Sequence, residues 1–430
     1  MMNPNEPVAQ QSLKTYKVII AVNTPHGVGY FADSEGNKLF NKQFEKVRNF
    51  SEGLAPVKQD GKSGFINTQG EVVIPCIYDD AGSFHEGFAS VKQNGKRGYI
   101  NTQGEVVIPC IYDDAWIFHE GLARVEQNGK KGYINTQGEV VVPCIYDEAT
   151  WFSEGLADVQ QNGKWGFINP QGEVVIPCIY DWVFNFSKGL ACVEQNDKWG
   201  IINPKGEVVV PCIYDEATCF SEGLARVKQN DKYGFINPQG EVVVPCVYDW
   251  AEGFSEGFAR VKQNDKWGYI NTQGEVVVPC VYDWADSFHE GLAHVEQNDK
   301  SGFINTKGEV VIPCIYDEAE SFHEGLAGVE QNGKYGFINT KGEVIVPCIY
   351  DDVDDFHEGL SRVVQNYKWG FINTKGEVIV PCIYDEIWDF SEGLARVEQN
   401  GKWAIINKEG KVIVEECGEW KTHWSKVEME

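Results

Sequence analysis

Histidines at one recurring position are the first candidates for metal chemistry in this sequence. They are His85, His119, His289, His323 and His357. A zinc site needs three or four ligands that converge on one ion. The histidines are 34 residues apart or a multiple of that, so if each repeat forms one sheet and sheets stack about 10 Å apart, two of them cannot share an ion. Serine replaces histidine at Ser153 and Ser187. We therefore predict a turn role and no metal.

Paired acidic residues could act in calcium binding or glycoside hydrolysis. The pairs are Asp79-Asp80, Asp113-Asp114 and Asp351-Asp352. None has the alternating acidic spacing of a calcium loop. The second acid is replaced by Trp182, Trp250 and Trp284 in other repeats, which a shared catalytic mechanism would not tolerate. We interpret the pairs as solvated turn carboxylates.

Cysteine is the third reactive type, with thirteen in the chain. Ten recur singly from Cys76 to Cys382, each after a proline in apolar sequence, where the thiolate is disfavoured. We predict one buried thiol per repeat and no disulfide, because equivalent cysteines about 10 Å apart exceed the disulfide limit. Near-identical repeats also lack the cluster of unlike groups that catalysis needs. The sequence thus predicts a non-enzyme with no catalytic residue, cofactor or metal.

The repeat that positions these residues is marked by a glycine every 34 residues from Gly36 to Gly410, which gives twelve units. The predicted organisation is a polar N-terminal segment and cap at 1–23, a twelve-unit array at 24–414, and a capping or docking tail at 415–430. The tail contains Cys417, Trp420, His423 and Trp424.

One unit, residues 156–187, contains two hairpin signals. Asn162-Gly163 favours a type I′ turn, and Asn169-Pro170-Gln171-Gly172 favours a type I turn closed by a left-handed glycine. Together they predict a three-stranded antiparallel meander: Leu156–Gln161, Trp165–Asn169, and Glu173–Ile176, ended by Pro177.

The pairing in this meander makes both faces apolar, so a neighbouring repeat must cover each of them. In the predicted register Val159 lies opposite Gly166, Ala157 opposite Ile168, Ile168 opposite Val174 and Gly166 opposite Ile176. One face then collects Ala157, Val159, Ile168, Val174 and Ile176, and the other Leu156, Trp165, Phe167 and Val175. Tyr180 and Phe186, which have equivalents in every complete unit, are expected to fill the space between sheets.

The hexapeptide Lys164 to Asn169 (KWGFIN), followed by Gly-Glu-Val-Val and Phe-Ser-Glu-Gly-Leu-Ala-like segments, resembles the bacterial WG-repeat (KWG-repeat) family. The resemblance covers about residues 24–414. It implies a β-rich repeat array with suspected interaction roles and no shared catalytic residues. Ser63, Arg97, Lys131, Tyr233, Ser301 and Tyr335 depart from the signature tryptophan, which indicates a partly exposed position.

Positions that vary between units are the candidate partner-binding surface. They include the signature tryptophans, the arginines in the middle of the first strand, and the loop positions around Gly82, Trp116, Trp151, Phe184 and Trp388. The predicted partner-binding residues are Arg124, Trp165, Trp199, Arg226, Arg260, Trp267, Arg362, Trp369, Arg396 and Trp403. Arginine against an aromatic ring can also be structural packing through a cation–π contact, so this alternative stays open.

The predicted fold is all-β, an open superhelical array of stacked meanders; the alternative is a closed, propeller-like toroid, since radially packed blades also bury both faces. The predicted function is a scaffold for protein–protein interaction; the alternative is a glycan-binding, lectin-like module. A net charge of −27 argues against nucleic acid and anionic membranes as partners. The one apolar run near the start, Val18 to Val22, is too short for a signal core, so a cytoplasmic location is expected.

Overall fold

The computed structural model describes residues 15–417 and 423–429, which form strands, turns and bends. These residues divide into two compact units. The first unit comprises residues 15–111, 402–407, 412–417 and 423–429, and the second comprises residues 112–401 and 408–411. Within the described ranges, no helix has the length and apolar character needed to cross a bilayer.

The strands follow one another at short intervals. The first eleven are β1 Thr15–Asn23, β2 Gly29–Asp33, β3 Lys38–Phe44, β4 Lys46–Val47, β5 Leu54–Gln59, β6 Lys62–Asn67, β7 Val72–Tyr78, β8 Asp80–Ala81, β9 Phe88–Gln93, β10 Lys96–Asn101 and β11 Val106–Tyr112. The next are β12 Asp114–His119, β13 Leu122–Gln127, β14 Lys130–Asn135, β15 Val140–Tyr146, β16 Glu148–Ala149, β17 Ala157–Gln161, β18 Lys164–Ile168, β19 Val174–Tyr180, β20 Trp182–Val183, β21 Ala191–Gln195, β22 Lys198–Ile202, β23 Val208–Tyr214, β24 Glu216–Ala217, β25 Ala225–Gln229, β26 Lys232–Ile236, β27 Val242–Tyr248 and β28 Trp250–Ala251. They continue with β29 Phe258–Gln263, β30 Lys266–Asn271, β31 Val276–Tyr282, β32 Trp284–Ala285, β33 Leu292–Glu296, β34 Ser301–Asn305, β35 Val310–Tyr316, β36 Glu318–Ala319, β37 Leu326–Gln331, β38 Lys334–Asn339, β39 Val344–Tyr350, β40 Asp352–Val353, β41 Leu360–Gln365, β42 Lys368–Asn373, β43 Val378–Tyr384, β44 Glu386–Ile387 and β45 Leu394–Gln399. The last three are β46 Lys402–Asn407, β47 Val412–Cys417 and β48 His423–Met429.

The sheets are small, antiparallel and four-stranded. The first unit contains the sheets β3-β2-β1-β48, β4-β5-β6-β7 and β8-β9-β10-β11, together with the hairpin β46–β47. The second contains eight sheets, from β12-β13-β14-β15 to β40-β41-β42-β43, and the hairpin β44–β45. The all-β repeat of small antiparallel sheets is therefore confirmed. The predicted three-stranded unit lacks one strand of the observed sheet. The two residues that follow Tyr-Asp in each unit form a short strand, and this strand pairs with the first long strand of the next unit.

The two hairpin turns have the predicted backbone conformations. Asn162 and Gly163 have φ of 53° and 77°, as a type I′ turn requires. Gly172 has φ of 81°, and its N–H donates to the Asn169 carbonyl at 2.9 Å. Local turn chemistry therefore sets the order of the long strands.

The register of the first hairpin is as predicted, and that of the second is partly wrong. Ala157 pairs with Ile168, Val159 with Gly166, and Ile168 with Val174. Ile176, however, pairs with Phe167 rather than with Gly166.

A bulge causes this difference. Val175 is the extra residue, and it places Ile176 on the same face as Phe167. The strand then continues through Pro177 to Tyr180 instead of ending. Proline is tolerated there because β19 is an edge strand at a bulge. Val174 was predicted in the core but is 55% exposed.

In the second unit, neighbouring sheets cover both apolar faces of the sheet β16-β17-β18-β19, as predicted. Ala157 and Ile168 pack back onto Tyr133 of the preceding sheet. Phe167 packs forward onto Phe186 of the next, with ring centroids 4.9 Å apart. Tyr180 lies in the same cluster, so both predicted inter-sheet residues fill that space.

The first and last described strands pair with each other. In the first unit, β1 runs antiparallel to β48, from Thr15 opposite Met429 to Ala21 opposite His423. An open superhelix, or solenoid, would leave its terminal sheets apart, so that prediction is wrong. The end strands complete one sheet because each presents an unpaired edge to the other. This pairing agrees with the alternative, sheets arranged as propeller blades.

Candidate binding surface

The mid-strand arginines link adjacent sheets. Arg124 on β13 donates from Nη1 to the carbonyl of Ala149 on the short strand of the next sheet. Its guanidinium lies 4.0 Å from the Trp116 ring centroid and 5.4 Å from that of Trp151. We call this place, where a mid-strand side chain meets the short strand and following loop of the next sheet, the inter-sheet socket.

Arg226, Arg260 and Arg362 occupy equivalent sockets. Arg226 donates to the Ala251 carbonyl at 2.8 Å and Arg362 to the Ile387 carbonyl at 3.1 Å. Arg260 donates to the Ala285 carbonyl and forms ion pairs with Glu252 and Asp286. Arg396 is also buried, but its guanidinium lies 5.4 Å from the ring of Trp388, which follows β44 in the same sheet. These contacts favour the packing role that the sequence left open.

The signature tryptophans lie on the second long strand of each sheet. Trp165, Trp199, Trp369 and Trp403 are half-buried, whereas Trp267 is only 6% exposed. The expected partial exposure therefore holds for four of the five. Trp267 differs because Trp284 and Arg260 cover its ring, at 5.3 and 5.1 Å.

More exposed aromatic rings stand on the short edge strands. Trp182, Trp250 and Trp284 are 49%, 41% and 40% exposed. Each contacts a ring of the preceding sheet: Trp182 meets Trp165 at 5.8 Å, and Trp250 meets Tyr233 at 5.1 Å. Sequence reasoning had noted these tryptophans only as replacements for an acid. Their recurrence at a variable position was the signal available.

Four aromatic pairs therefore lie on five adjacent sheets of the second unit. Three of them are the pairs given above, Trp165 with Trp182, Tyr233 with Trp250 and Trp267 with Trp284. The fourth is Phe184 stacked on Trp199, with ring centroids 5.3 Å apart. We call this set the aromatic row: Trp165, Trp182, Phe184, Trp199, Tyr233, Trp250, Trp267 and Trp284. Arg226 and Arg260 lie against its rings at 5.1 to 5.5 Å. The arrangement offers flat apolar faces beside cations that are already held in place.

Comparison with known families decides the identity of the repeat. The family of WG-containing repeats matches residues 31–62, 64–96, 98–130, 132–165, 165–199, 199–233, 233–267, 267–300, 302–335, 335–369 and 369–403. The chain belongs to this family. No curated protein matches the sequence.

Solved structures resemble the WG-repeat chain only distantly. A eukaryotic initiation factor matches with 10% identity and a TM-score of 0.36, covering 71% of this chain and 98% of that one. BamB from Moraxella catarrhalis matches with 11% identity and a TM-score of 0.28, covering 62% and 92%. Likenesses at this level carry no argument about the WG-repeat chain.

The aspartate at the first position of the acidic pairs, which in one repeat is Asp181 before Trp182, is part of the WG-repeat scaffold. Lys164 donates to the Asp181 carboxylate, which also accepts the backbone N–H of Asn196 at 3.0 Å. These hydrogen bonds hold the pKa of Asp181 below its usual range. Equivalent links recur along the array, so these carboxylates tie one WG repeat to the turn of the next.

The recurring histidines come closer together than the sequence indicated. The rings of His289 and His323 are 5.4 Å apart, and those of His323 and His357 are 6.5 Å apart. The estimate of about 10 Å was wrong because a glutamate joins adjacent loops: Glu290 accepts the N–H of Gly325 at 2.9 Å. Even so, the described residues contain no group of three His, Cys, Asp or Glu side chains able to hold a metal ion.

The recurring cysteines are half-buried rather than buried, and all twelve cysteines with described side chains are free thiols. The Cys178 sulfur lies 3.6 Å from the Val159 carbonyl oxygen, and burial raises the pKa of this thiol. Cys192 and Cys219, outside the recurring set, differ from this pattern. Of the residues proposed for a capping or docking tail, Trp420 lies outside the described residues, whereas Cys417 ends β47 and His423 begins β48.

Proposed function

We propose that this WG-repeat chain is a non-enzymatic scaffold that binds a protein partner through the aromatic row. The observation that carries the proposal is the exposure of three tryptophans, Trp182, Trp250 and Trp284, on the short edge strands β20, β28 and β32. Large aromatic side chains backed by a second ring are the groups that dominate binding energy at protein interfaces.

The charges around the row favour a basic or neutral protein segment. Arg260 is paired with Glu252 and Asp286, and Glu216 is paired with Lys228 at 3.2 Å. The whole chain carries a net charge of −27. Lysine or arginine side chains of a partner would therefore be attracted to the surface and could lie over the exposed indoles. Nucleic acid and anionic membranes would be repelled.

The absence of an enzymatic role is part of the proposal. The cavity of about 330 Å³ beside Tyr180 is lined by residues such as Val210, Pro211 and Cys212, which recur in other repeats. The carboxylates nearest to a catalytic pattern are engaged by lysine and backbone N–H groups, as at Asp181. Lys198 and Gln195 also line the cavity, but they recur in other repeats too, so neither place has a set of unlike groups of its own.

The test replaces Trp182, Trp250 and Trp284 together with glutamate. Glutamate already stands at this position as Glu216 and Glu318, so the fold should be kept. Affinity capture identifies the partner, and titration of that purified partner should show binding weakened by at least about tenfold, as for loss of an aromatic hot spot.

The matched control places the same charges on the opposite edge of the same sheets, as Val208→Glu, Val276→Glu and Val310→Glu. These valines are exposed, and binding should change little. Binding lost in the valine variant but kept in the tryptophan variant would refute the proposed surface.

A second candidate function is glycan binding, because exposed indole faces can also stack on sugar rings. A glycan array distinguishes the two. Glycan signals that disappear in the tryptophan variant, with no protein captured, would favour the lectin-like function.

We also propose that the chain works in the cytoplasm. Twelve free thiols are typical of a reducing compartment. Fractionation of the source cells with an antibody to the chain tests this, and recovery in the secreted fraction would contradict it.

A further inference from the structure

One inter-sheet socket contains two cysteines in place of arginine and tryptophan. Cys192 stands two repeats after Arg124 in the mid-strand position, and Cys219 stands two repeats after Trp151 in the facing loop. In the earlier socket the two side chains are in contact, with the guanidinium 5.4 Å from the ring centroid. The same backbone positions therefore bring two thiols together.

The two sulfurs have different surroundings. Cys192 lies on β21, is 2% exposed, and its Sγ is 3.2 Å from the carbonyl oxygen of Thr218, the neighbour of Cys219. Cys219 follows the short strand β24 of the next sheet and is exposed. One thiol is therefore open to solvent, and the other lies behind it.

The thiols also interact with each other. The Cys192 thiol donates to the Thr218 carbonyl, and its proximity to Cys219 lowers the pKa of Cys219 to about 7. The interaction with Cys219, together with burial, raises the pKa of Cys192. An exposed thiol that ionises near neutral pH is a good nucleophile toward disulfides. The recurring cysteines are the contrast, since burial raises the pKa of a thiol such as that of Cys212.

We propose that Cys192 and Cys219 form a thiol–disulfide exchange site whose substrates are low-molecular-weight disulfides. The Cys219 thiolate attacks one sulfur of the small disulfide, whose S–S bond breaks, and the leaving thiolate takes up a proton. The Cys192 sulfur then loses its proton, attacks the Cys219 sulfur and displaces the second small thiol. Two protein thiols are oxidised to one disulfide, and one small disulfide is reduced to two thiols.

The product joins two neighbouring sheets covalently. Cys192 belongs to the sheet β20–β23, and Cys219 lies in the loop after the first strand of β24–β27. The two sulfurs must approach each other to about 2 Å. The exposed loop at Cys219 can supply that movement, whereas Cys192 is held within a packed cluster.

The experiment treats the folded full-length chain with glutathione disulfide at neutral pH, blocks the remaining thiols with iodoacetamide, and maps the peptides by mass spectrometry. We expect a Cys192–Cys219 linked peptide that reductant removes, while the recurring cysteines are recovered in alkylated form. Cys212→Ser, which removes one recurring thiol, should leave the linkage unchanged.

Two variants test the order of steps. Cys219→Ser, at an exposed position, should abolish the linkage and leave Cys192 unmodified. Cys192→Ser should stop at a mixed disulfide between glutathione and Cys219. The proposal is overturned if wild-type protein keeps only the mixed disulfide, gives no linkage although Cys219 is readily alkylated, or is oxidised at the recurring cysteines equally fast.

Discussion

The glycine of the WG signature is required by the approach of a neighbouring strand. A Cβ atom built on Gly166 would lie 2.4 Å from the Ile176 carbonyl oxygen and 2.6 Å from the Cys178 nitrogen. Both are backbone atoms of the bulged strand β19, so the clash cannot be relieved by a side-chain rotation. Glycine is therefore required at position 166 because a side chain would clash with β19, whereas glycine is favoured at position 163 because the turn needs a positive φ.

The last repeat shows what relieves this requirement. Ala404 stands where other repeats have glycine. There Trp403 pairs with Cys417, fourteen residues on, whereas Trp165 pairs with Tyr180, fifteen residues on. The bulge in β47 is therefore one residue shorter than the bulge in β19. For this reason β47 does not pass over Ala404 as β19 passes over Gly166.

We predict that Gly166→Ala destabilises the protein by about 1–3 kcal/mol, the usual cost of overpacking. The measurement is urea unfolding followed by circular dichroism. Ala404→Gly serves as the control and should cost about 1 kcal/mol or less, from backbone entropy alone. Equal effects of the two changes would show that the backbone contact with β19 is not the cause.

At the scale of elements, the sheets are tied together by a repeated hydrogen-bond link. In each link an aspartate accepts two hydrogen bonds, one from a lysine on the second long strand and one from a backbone N–H in the turn of the next repeat. Lys164, Asp181 and Asn196 form one such link. In nine repeats the lysine or turn hydrogen bonds lower the pKa of the aspartate. These residues are Asp79, Asp147, Asp181, Asp215, Asp249, Asp283, Asp317, Asp351 and Asp385. The links are exposed, so their contribution is modest one by one.

We predict that these links make the protein sensitive to acid. The pKa of each linked aspartate is lower in the folded protein than in the unfolded chain. The links therefore stabilise the fold fully above about pH 4, and this stabilisation is lost as the pH falls through the pKa of the folded state. Changing Asp181, Asp215, Asp249 and Asp283 to asparagine should lower the melting temperature at neutral pH and flatten its decline in acid.

The control removes the same number of charges from the turns, as Asp197, Asp231, Asp265 and Asp299 changed to asparagine. Asparagine tolerates the positive φ at these positions, so the melting temperature should change little. An acid profile that is the same in both variants would argue against the aspartate links.

At the scale of the whole chain, the pairing of β1 with β48 joins segments that are about four hundred residues apart. Stability in repeat proteins comes mainly from contacts between neighbours. This pairing supplies the first sheet with an edge partner that the neighbouring repeat cannot provide, since β2 occupies the other edge of β1.

We predict that deleting residues 418–430 destabilises the first unit without unfolding the second. Hydrogen exchange should show loss of protection of about tenfold or more in β1 and β2, while β25 and β26 keep theirs. The exposed edge of β1 should also increase self-association.

Phe220→Ala provides the contrast, because Phe220 packs between two sheets of the second unit and its loss should be felt there. Uniform loss of protection along the chain after either change would contradict nearest-neighbour stability.

The sequence by itself determined what happens within one hairpin. Asn162-Gly163 and Gly172 specify their turns through local φ preferences, and the turn fixes the pairing of Ala157 with Ile168. The alternation of apolar residues then shows that both faces must be covered. These signals act over a few residues, and the same few residues are enough to reveal them.

Only the tertiary structure decided the rest. The strand of Trp182 and Val183 is too short to be recognised without its partner in the next repeat, and so its exposed tryptophan was not predicted as a surface residue. The approach of His289 to His323, the two thiols of one socket and the pairing of β1 with β48 all depend on how one sheet sits on the next. That arrangement arises from packing between sheets, which no local backbone preference encodes.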